Sequence, residues 1–194
     1  ILLVSAPAFL LAGWRKGDLR SNEAALKFFL VGVLSSALLL FGMSLVYGTT
    51  GEYTFAGIRQ ATTAGLGAEP AFILGVLLVL VGFGFKIAAV PFHFWAPDTY
   101  EGSPLPVAAY LSVGSKGAGF VGLLTTCCLA FAGARDIWGP ALWVLAALTM
   151  IPIVEVAWAD GRMDARERAA ILTGAESVGI EAGSPSHGLL ELWT

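Results

Sequence analysis

Apolar residues in this chain fall into long runs separated by short polar or proline-rich stretches, not into a two-residue alternation. That pattern predicts membrane helices. Residues 1–13, ILLVSAPAFLLAG, read as the end of one such helix. Trp14 then marks an interface, and RKGDLRSNE forms a short basic loop. Ser21 or Asn22 is expected to cap the next helix, with Glu23 in its first turn, where negative charge suits the helix dipole. The run that starts there, EAALKFFLVGVLSSALLLFGMSLVYG, is long enough to cross a bilayer. Residues 48–70 are too polar and glycine-rich to span, and predict an external loop with one short surface helix around 55–61. A second crossing follows at 71–90 and a third at 105–131. The turn AGARDIWGP leads to a fourth apolar run at 141–159, interrupted by Pro152 and Glu155.

Two features inside this pattern point to chemistry. Lys86 and Lys116 each sit within an apolar span, and nothing nearby in sequence pairs them, since Asp98 and Glu101 lie more than two helical turns from Lys86. A lysine at the bilayer centre costs about 2.5–3.5 kcal/mol on insertion scales, so such a residue faces a protein interior or a wet cavity. Between the lysines lies PFHFWAPDTYEGSP, where Pro91, Pro97 and Pro104 forbid one regular helix. If the helix ran on, Pro91 would free the carbonyl of Ile87 and Pro97 that of His93. Backbone unpaired at membrane depth is tolerated only inside protein or against water. A broken helix carrying Lys86 and His93 beside its breaks therefore reads as part of an ion path, or else as lysines that snorkel or pair with acids and a histidine that merely packs. Lys27, about one turn inside its span, reads either as a snorkelling lysine or as a functional one. Phe92, Phe94 and Trp95 read as packing and interface anchors, and Gly114, Gly117 and Gly119 as room for close helix contact around Lys116.

Composition supports the membrane reading: 57% of residues are hydrophobic and 13% charged, with a mean hydropathy of +0.78. The net charge of −3 hides an asymmetry. Residues 1–150 hold eight Lys/Arg and seven Asp/Glu, whereas residues 151–194 hold three and seven. The latter part predicts a soluble charged helix at about 164–178, capped by Asp164 and ended by Gly179. Asp160 and Asp164 lack the glycine and glutamate of a calcium loop, so no metal site is expected. Cys127 and Cys128 have no ligand spacing around them and read as small packing residues. Taking RKGDLR as cytoplasmic puts Arg15, Lys16, Arg20, Arg162, Arg166 and Arg168 inside and only Arg59 and Arg135 outside, in keeping with the positive-inside bias. Ile1 follows no initiator Met or leader, so the chain is expected to be a piece of a longer one.

Residues 86–120, KIAAVPFHFWAPDTYEGSPLPVAAYLSVGSKGAGF, resemble the core of subunit N of the proton-pumping NADH:quinone oxidoreductases (respiratory complex I). The PxHxWxPD element is shared with subunits L and M and with the Mrp-type cation/proton antiporters, while TYEGSPxPV followed by SK resembles subunit N in particular. GDLRSNEAALKFFLVGVLSSALLLFGMSLVYGTTG is similar too, so the resemblance covers about residues 1–150. It implies an all-α, polytopic antiporter-like bundle with a proline-broken helix, in the cell inner (plasma) membrane with a cytoplasmic tail. It also implies a proton relay: Lys86 as its central group, Lys116 on the following helix, Lys27 on the preceding one and His93 beside the break. The family's glutamate on the helix before Lys27 is expected either to be replaced in ILLVSAP, which contains no acid, or to lie just before Ile1, and the second inverted repeat is not expected within these residues. Residues 151–194, with their VAWADGxxDxxER run, resemble a fragment of a TerB-type helical module. They are expected to be a separate segment of unrelated character, by fusion or by an assembly error.

Three functions follow for comparison. The first is a proton-translocating membrane subunit, part of the translocase only within the multisubunit complex. The resemblance implies that NADH, FMN, iron–sulfur clusters and quinone are bound by other subunits, with no cofactor in this chain. Its partners would be the lipid bilayer and the other membrane subunits, not nucleic acid. The second is an antiporter subunit of the same superfamily, and the third a non-transporting fragment whose tail binds a partner.

Overall fold

The computed structural model describes residues 2–159, with side chains from 5 to 151, and the single positions 169 and 173. Every element among the described residues is helical: α1 (Leu2–Ala12), α2 (Leu19–Thr50), α3 (Phe55–Thr63), α4 (Pro70–Ile87), α5 (Trp95–Gly102), α6 (Leu105–Tyr110), α7 (Lys116–Thr125) and α8 (Arg135–Ala159). The architecture is an all-α membrane helix bundle. Three helical runs are long and apolar enough to cross a membrane, Leu19–Thr50, Pro70–Ile87 and Leu105–Ala130. The expected fourth run reaches positions whose side chains lie outside the described residues. So does the charged segment predicted at 164–178, apart from the single positions 169 and 173. The chain divides into two units, residues 1–148 and 149–194, and the site belongs to the first.

Helix boundaries depart from the sequence reading in physically clear ways. The cap of α2 is Asp18, whose carboxylate accepts from the Arg20 N–H at 3.0 Å. The helix therefore starts at Leu19 and Glu23 falls beyond its first turn. Ser21 and Asn22, expected as caps, instead tie down the preceding segment. The buried Ser21 hydroxyl donates to the Ala12 carbonyl at 3.0 Å, and Asn22 Nδ2 to that of Lys16 at 3.3 Å. At its far end α2 stops at Gly51, which takes the left-handed conformation at φ 68° and donates its N–H to Tyr47. Pro70 opens α4, where its missing N–H would have had no helical partner. The expected turn before the last helix is shorter than predicted, because α8 begins at Arg135. Trp138 Nε1 donates to the Phe131 carbonyl at 2.8 Å and pins that first turn.

Packing centres on α2 and α4, which run against each other along their lengths, with α5 and α1 laid on α2 and α7 on α4. The crossing is made by glycines that the sequence reading passed over. A Cβ on Gly42 would meet the Gly75 carbonyl oxygen at 2.7 Å, and one on Gly75 would meet that of Gly42 at 2.9 Å. A Cβ on Gly82 would strike Leu39 at 2.5 Å. Small residues let membrane helices approach until backbone touches backbone. One core fills the space above this seam with Phe72, Val76, Val79, Phe83, Leu123 and Cys127. A second gathers Phe28, Phe85, Trp95 and Leu111, and it is this second core that holds the lysine site. Meanwhile Leu26, Phe29, Leu30, Leu34, Leu40 and Phe41 of α2 are all exposed, as a lipid-facing surface requires. Cys128 is exposed while Cys127 is buried, so only Cys127 serves as the expected packing residue.

Candidate functional site

The break after Lys86 is built by the helix end itself. α4 stops at Ile87 because Ala88 turns left-handed, at φ 57° and ψ 43°. The Ala89 N–H then reaches the Gly84 carbonyl at 2.9 Å and the Ala88 N–H that of Phe85 at 3.2 Å. This is a Schellman closure with alanine where glycine is usual, a conformation that costs an alanine about 1–2 kcal/mol. The Phe85 carbonyl also accepts the buried Trp95 Nε1 at 3.0 Å, which locks the short helix α5 onto the end of α4. The break thus pairs its backbone more fully than the prolines alone suggested. In particular, the His93 carbonyl is not freed: it accepts the Ala96 N–H at 2.9 Å. Pro97 sits in the first turn of α5, where helical N–H groups have no intrahelical partner and a proline removes nothing.

Lys86 lies one residue before this helix end, and its ammonium donates to the Ser5 hydroxyl of α1 at 3.0 Å. Among the described residues no carboxylate comes within ion-pair distance of it. Beside it is a cavity of about 20 Å³, bordered by Lys86, Ser5, Ser35, Ser36, Ser115 and apolar side chains that include Phe28 and Trp95. Those two rings stack at 4.9 Å and 17°. The cavity's depth follows from helix lengths. α2 has 32 residues, about 48 Å at 1.5 Å per residue, against roughly 30 Å of hydrocarbon. Val31, Gly32, Ser35 and Ser36, which border the cavity, flank the midpoint of α2. Ser115 and Lys116 likewise lie just before the midpoint of the 26-residue run Leu105–Ala130. Lys86, beside this cavity, therefore lies level with the middle of α2, and Lys116 near the middle of its own run.

Lys116 follows a π-turn at Leu111–Ser115, a local widening common at functional positions. Its ammonium lies over the Tyr100 ring, 5.4 Å from the centroid, a cation–π arrangement. Of the three glycines expected to allow helix contact around Lys116, one does so. Gly119 faces Lys86, where an added Cβ would meet the lysine Cγ at 3.0 Å, while Gly117 faces open space and Gly114 only Tyr110 of its own helix.

Lys27 has a different setting. It is about half-exposed and pairs with Asp98 at 2.6 Å and Glu23 at 2.7 Å. Nearby, Arg20 and Glu101 make a weaker exposed pair at 3.4 Å. Lys27 is eight residues into α2, about 12 Å from its start, closer to one end than the cavity is. His93 lies in the break, partly buried, with its Nδ1 buried and without a hydrogen-bond partner among the described residues. The buried Tyr100 and Ser103 hydroxyls share that condition. The structure thus draws Lys86, Ser5 and Ser115 together, sets Lys116 on Tyr100, and gives Lys27 to the α2–α5 contact. No group of His, Cys, Asp and Glu among the described residues is arranged to hold a metal ion. The serines were passed over in the sequence, although SS within VGVLSSALLL and the lone Ser5 in ILLVSAP are hydroxyls inside otherwise apolar runs.

The family described as NADH:quinone oxidoreductase/Mrp antiporter, TM, matches residues 1–162, which carries the likeness past the residue-150 limit expected from the motifs. NADH-quinone oxidoreductase subunit N 2 of Streptomyces griseus is 53% identical over 153 residues, covering 76% of this chain and 28% of that protein. NAD(P)H-quinone oxidoreductase subunit 2 of Thermosynechococcus vestitus is 48% identical over 149 residues, covering 76% and 28%. Among solved structures, a chain of respiratory complex I from Thermus thermophilus with bound aureothin matches with a TM-score of 0.53 and 44% identity, covering 62% of this chain and 26% of that one. The chain thus spans under a third of the length of these curated relatives.

Proposed function

Because the chain belongs to the NADH:quinone oxidoreductase/Mrp antiporter transmembrane family, we propose that it is the proton-relaying part of a membrane subunit of a respiratory NADH:quinone oxidoreductase. The observation that carries the proposal is Lys86, an amine level with the middle of α2 and held by a hydroxyl, not by a carboxylate. Burial disfavours an ammonium and neighbouring charge restores it, so a lysine without a fixed counter-ion can respond to charges that change around it. In this reading Lys86 is the central station and Lys116, near the middle of the next crossing, the second. His93 Nδ1, unpartnered in the break, is a further group able to take a proton. Lys27 ends the path near one surface, where Glu23 and Asp98 hold it. Pro91 and Pro97 lie in the break that ends α4 beside Lys86. Electron-carrying groups and quinone belong to other subunits, which with the lipid bilayer are the partners. Residues 1–150 form the conducting part and 151–194 a separate cytoplasmic segment.

Arginine provides the test, because it keeps the charge and roughly the reach of lysine but holds its proton under all working conditions. With this segment in a complete subunit N, Lys86→Arg should assemble and reduce quinone yet move fewer protons per NADH. Wild-type flux in that variant would mean that Lys86 need not release a proton, and the relay reading would fall.

A further inference from the structure

We propose that the groove between α3 and the end of the run Leu105–Ala130 binds the headgroup of an anionic phospholipid, with Arg59 holding its phosphate. The groove is open, about 580 Å³ in volume, and lined by Phe55, Ala56, Arg59, Gln60, Thr63 and Leu129. It shares no residue with the cavity beside Lys86, so the inference goes beyond the relay reading and does not rest on it.

The local sequence fixes α3 as a platform at the membrane surface. Thr54 caps it, the hydroxyl oxygen accepting the Gly57 N–H at 3.1 Å. Ile58 and Thr62 are buried on its inner face, and Gly133 comes so near that an added Cβ would meet the Thr62 hydroxyl oxygen at 2.6 Å. The outer face therefore carries Phe55, Arg59 and Thr63, which recur every four residues, with Gln60 beside them. Position supplies the depth. α3 follows the end of α2, and Leu129 is next to last in its own run. Because α2 is longer than the hydrocarbon is thick, its end and the groove beyond it fall at headgroup level.

Charge selects the occupant. Among the described residues no carboxylate pairs with the Arg59 guanidinium, and no acid lines the groove. Glu52, the acid nearest in sequence, lies against Gly57. The Thr63 hydroxyl donates to the carbonyls of Arg59 and Gln60, so the guanidinium and the Gln60 amide are the donors left to the groove. A guanidinium fits a phosphate with two parallel N–H···O bonds. With a positive charge and no acid, the groove favours a headgroup of net negative charge over a zwitterionic one, whose ammonium it would repel. The walls favour a lipid over a free anion. Phe55 and Leu129 are large, apolar and exposed, which suits the ester and first methylenes of a lipid and does nothing for inorganic phosphate. Tyr53 is exposed just before them, as aromatic residues are at membrane interfaces. Toward the middle of the same run Phe120, Val121 and Leu124 are exposed as well, an apolar surface for the acyl chains.

The test uses the full chain in detergent micelles and native mass spectrometry, titrating phosphatidylglycerol or phosphatidylcholine with the same acyl chains. The wild-type chain should hold one phosphatidylglycerol more tightly than any phosphatidylcholine. Arg59→Ala should weaken phosphatidylglycerol about fivefold, the worth of one arginine at a lipid surface, and bring it level with phosphatidylcholine. Should that variant fail to fold, Arg59→Gln, which keeps donors but not charge, should show the same loss. Arg135→Ala removes an exposed arginine outside the groove and should leave both affinities unchanged. Inorganic phosphate should not displace the lipid. Equal weakening in Arg135→Ala would make the binding a matter of overall charge, and displacement by phosphate would make it a plain anion site; either overturns the proposal. So does a wild-type chain without preference for phosphatidylglycerol, which would leave the groove to a protein neighbour. The relay reading stands or falls on proton flux, which none of these titrations measures.

Discussion

At the scale of single residues, the chemistry divides by depth. Lys86 near the middle of the bundle is held by a neutral hydroxyl, whereas Lys27 near one end is held by two carboxylates. The lysines were legible in the sequence because an amine inside an apolar run stands out locally. Their partners were not: Ser5 is 81 residues from Lys86 and Asp98 is 71 from Lys27, and only the packing of α1 and α5 brings them in. The Lys27 pair is half-exposed, so its contribution is small and screened by salt. Asp98→Asn should therefore lower the melting temperature in detergent only slightly, and the difference should shrink as salt is raised. A loss of several kcal/mol that salt does not touch would show the pair to be buried in the working protein. Ser21 sits at the other extreme, fully buried with its hydroxyl on the Ala12 carbonyl. Ser21→Ala should cost about 1 kcal/mol in the same melting assay, with α1 loosened from α2; no change would make that bond irrelevant.

At the scale of elements, the reading from sequence located every crossing that the structure describes, and also the short helix α3. Long apolar runs and glycine-rich polar stretches are strong, local signals. Helix ends were less legible. Asp18 beat Ser21 for the cap of α2, and the break after Lys86 turned out to be a Schellman closure on Ala88, which no glycine announced. The proline rule over-reached at Pro97, because a proline in a first turn frees no carbonyl. Of the three glycines expected to allow close helix contact around Lys116, only Gly119 does so, against Lys86 and Ile87 of α4, and the tighter approach of Gly42 on Gly75 was passed over. That seam makes a definite prediction. In Gly42→Ala the added methyl meets backbone, which cannot rotate away as a side chain can. Overpacking of this kind costs about 1–3 kcal/mol, so the melting temperature should fall. The same change at Gly117, which faces open space, should leave stability level or slightly raised, as alanine favours helix. Equal behaviour of the two variants would contradict the α2–α4 crossing described above.

At the scale of the whole molecule, the described bundle sets Lys86 level with the middle of α2 and Lys116 near the middle of its own run, among helices with exposed apolar residues. α2 exceeds the hydrocarbon thickness, so its two ends emerge on opposite sides. Cysteines placed at Gly17 and Tyr53, in a background lacking Cys128, should then label from opposite faces of a sealed vesicle; labelling from one face would undo the topology. The central claim is that Lys86 carries protons, and one measurement bears on it most directly: protons moved per NADH oxidised in sealed membrane vesicles, with this segment in a complete subunit N carrying Lys86→Ala. A well-placed proton-transfer group is worth roughly a hundredfold or more in rate. The relay account therefore predicts flux close to background, with quinone reduction lowered only as far as it is coupled to pumping. Wild-type proton flux in the alanine variant would contradict it and leave Lys86 a lysine that only packs.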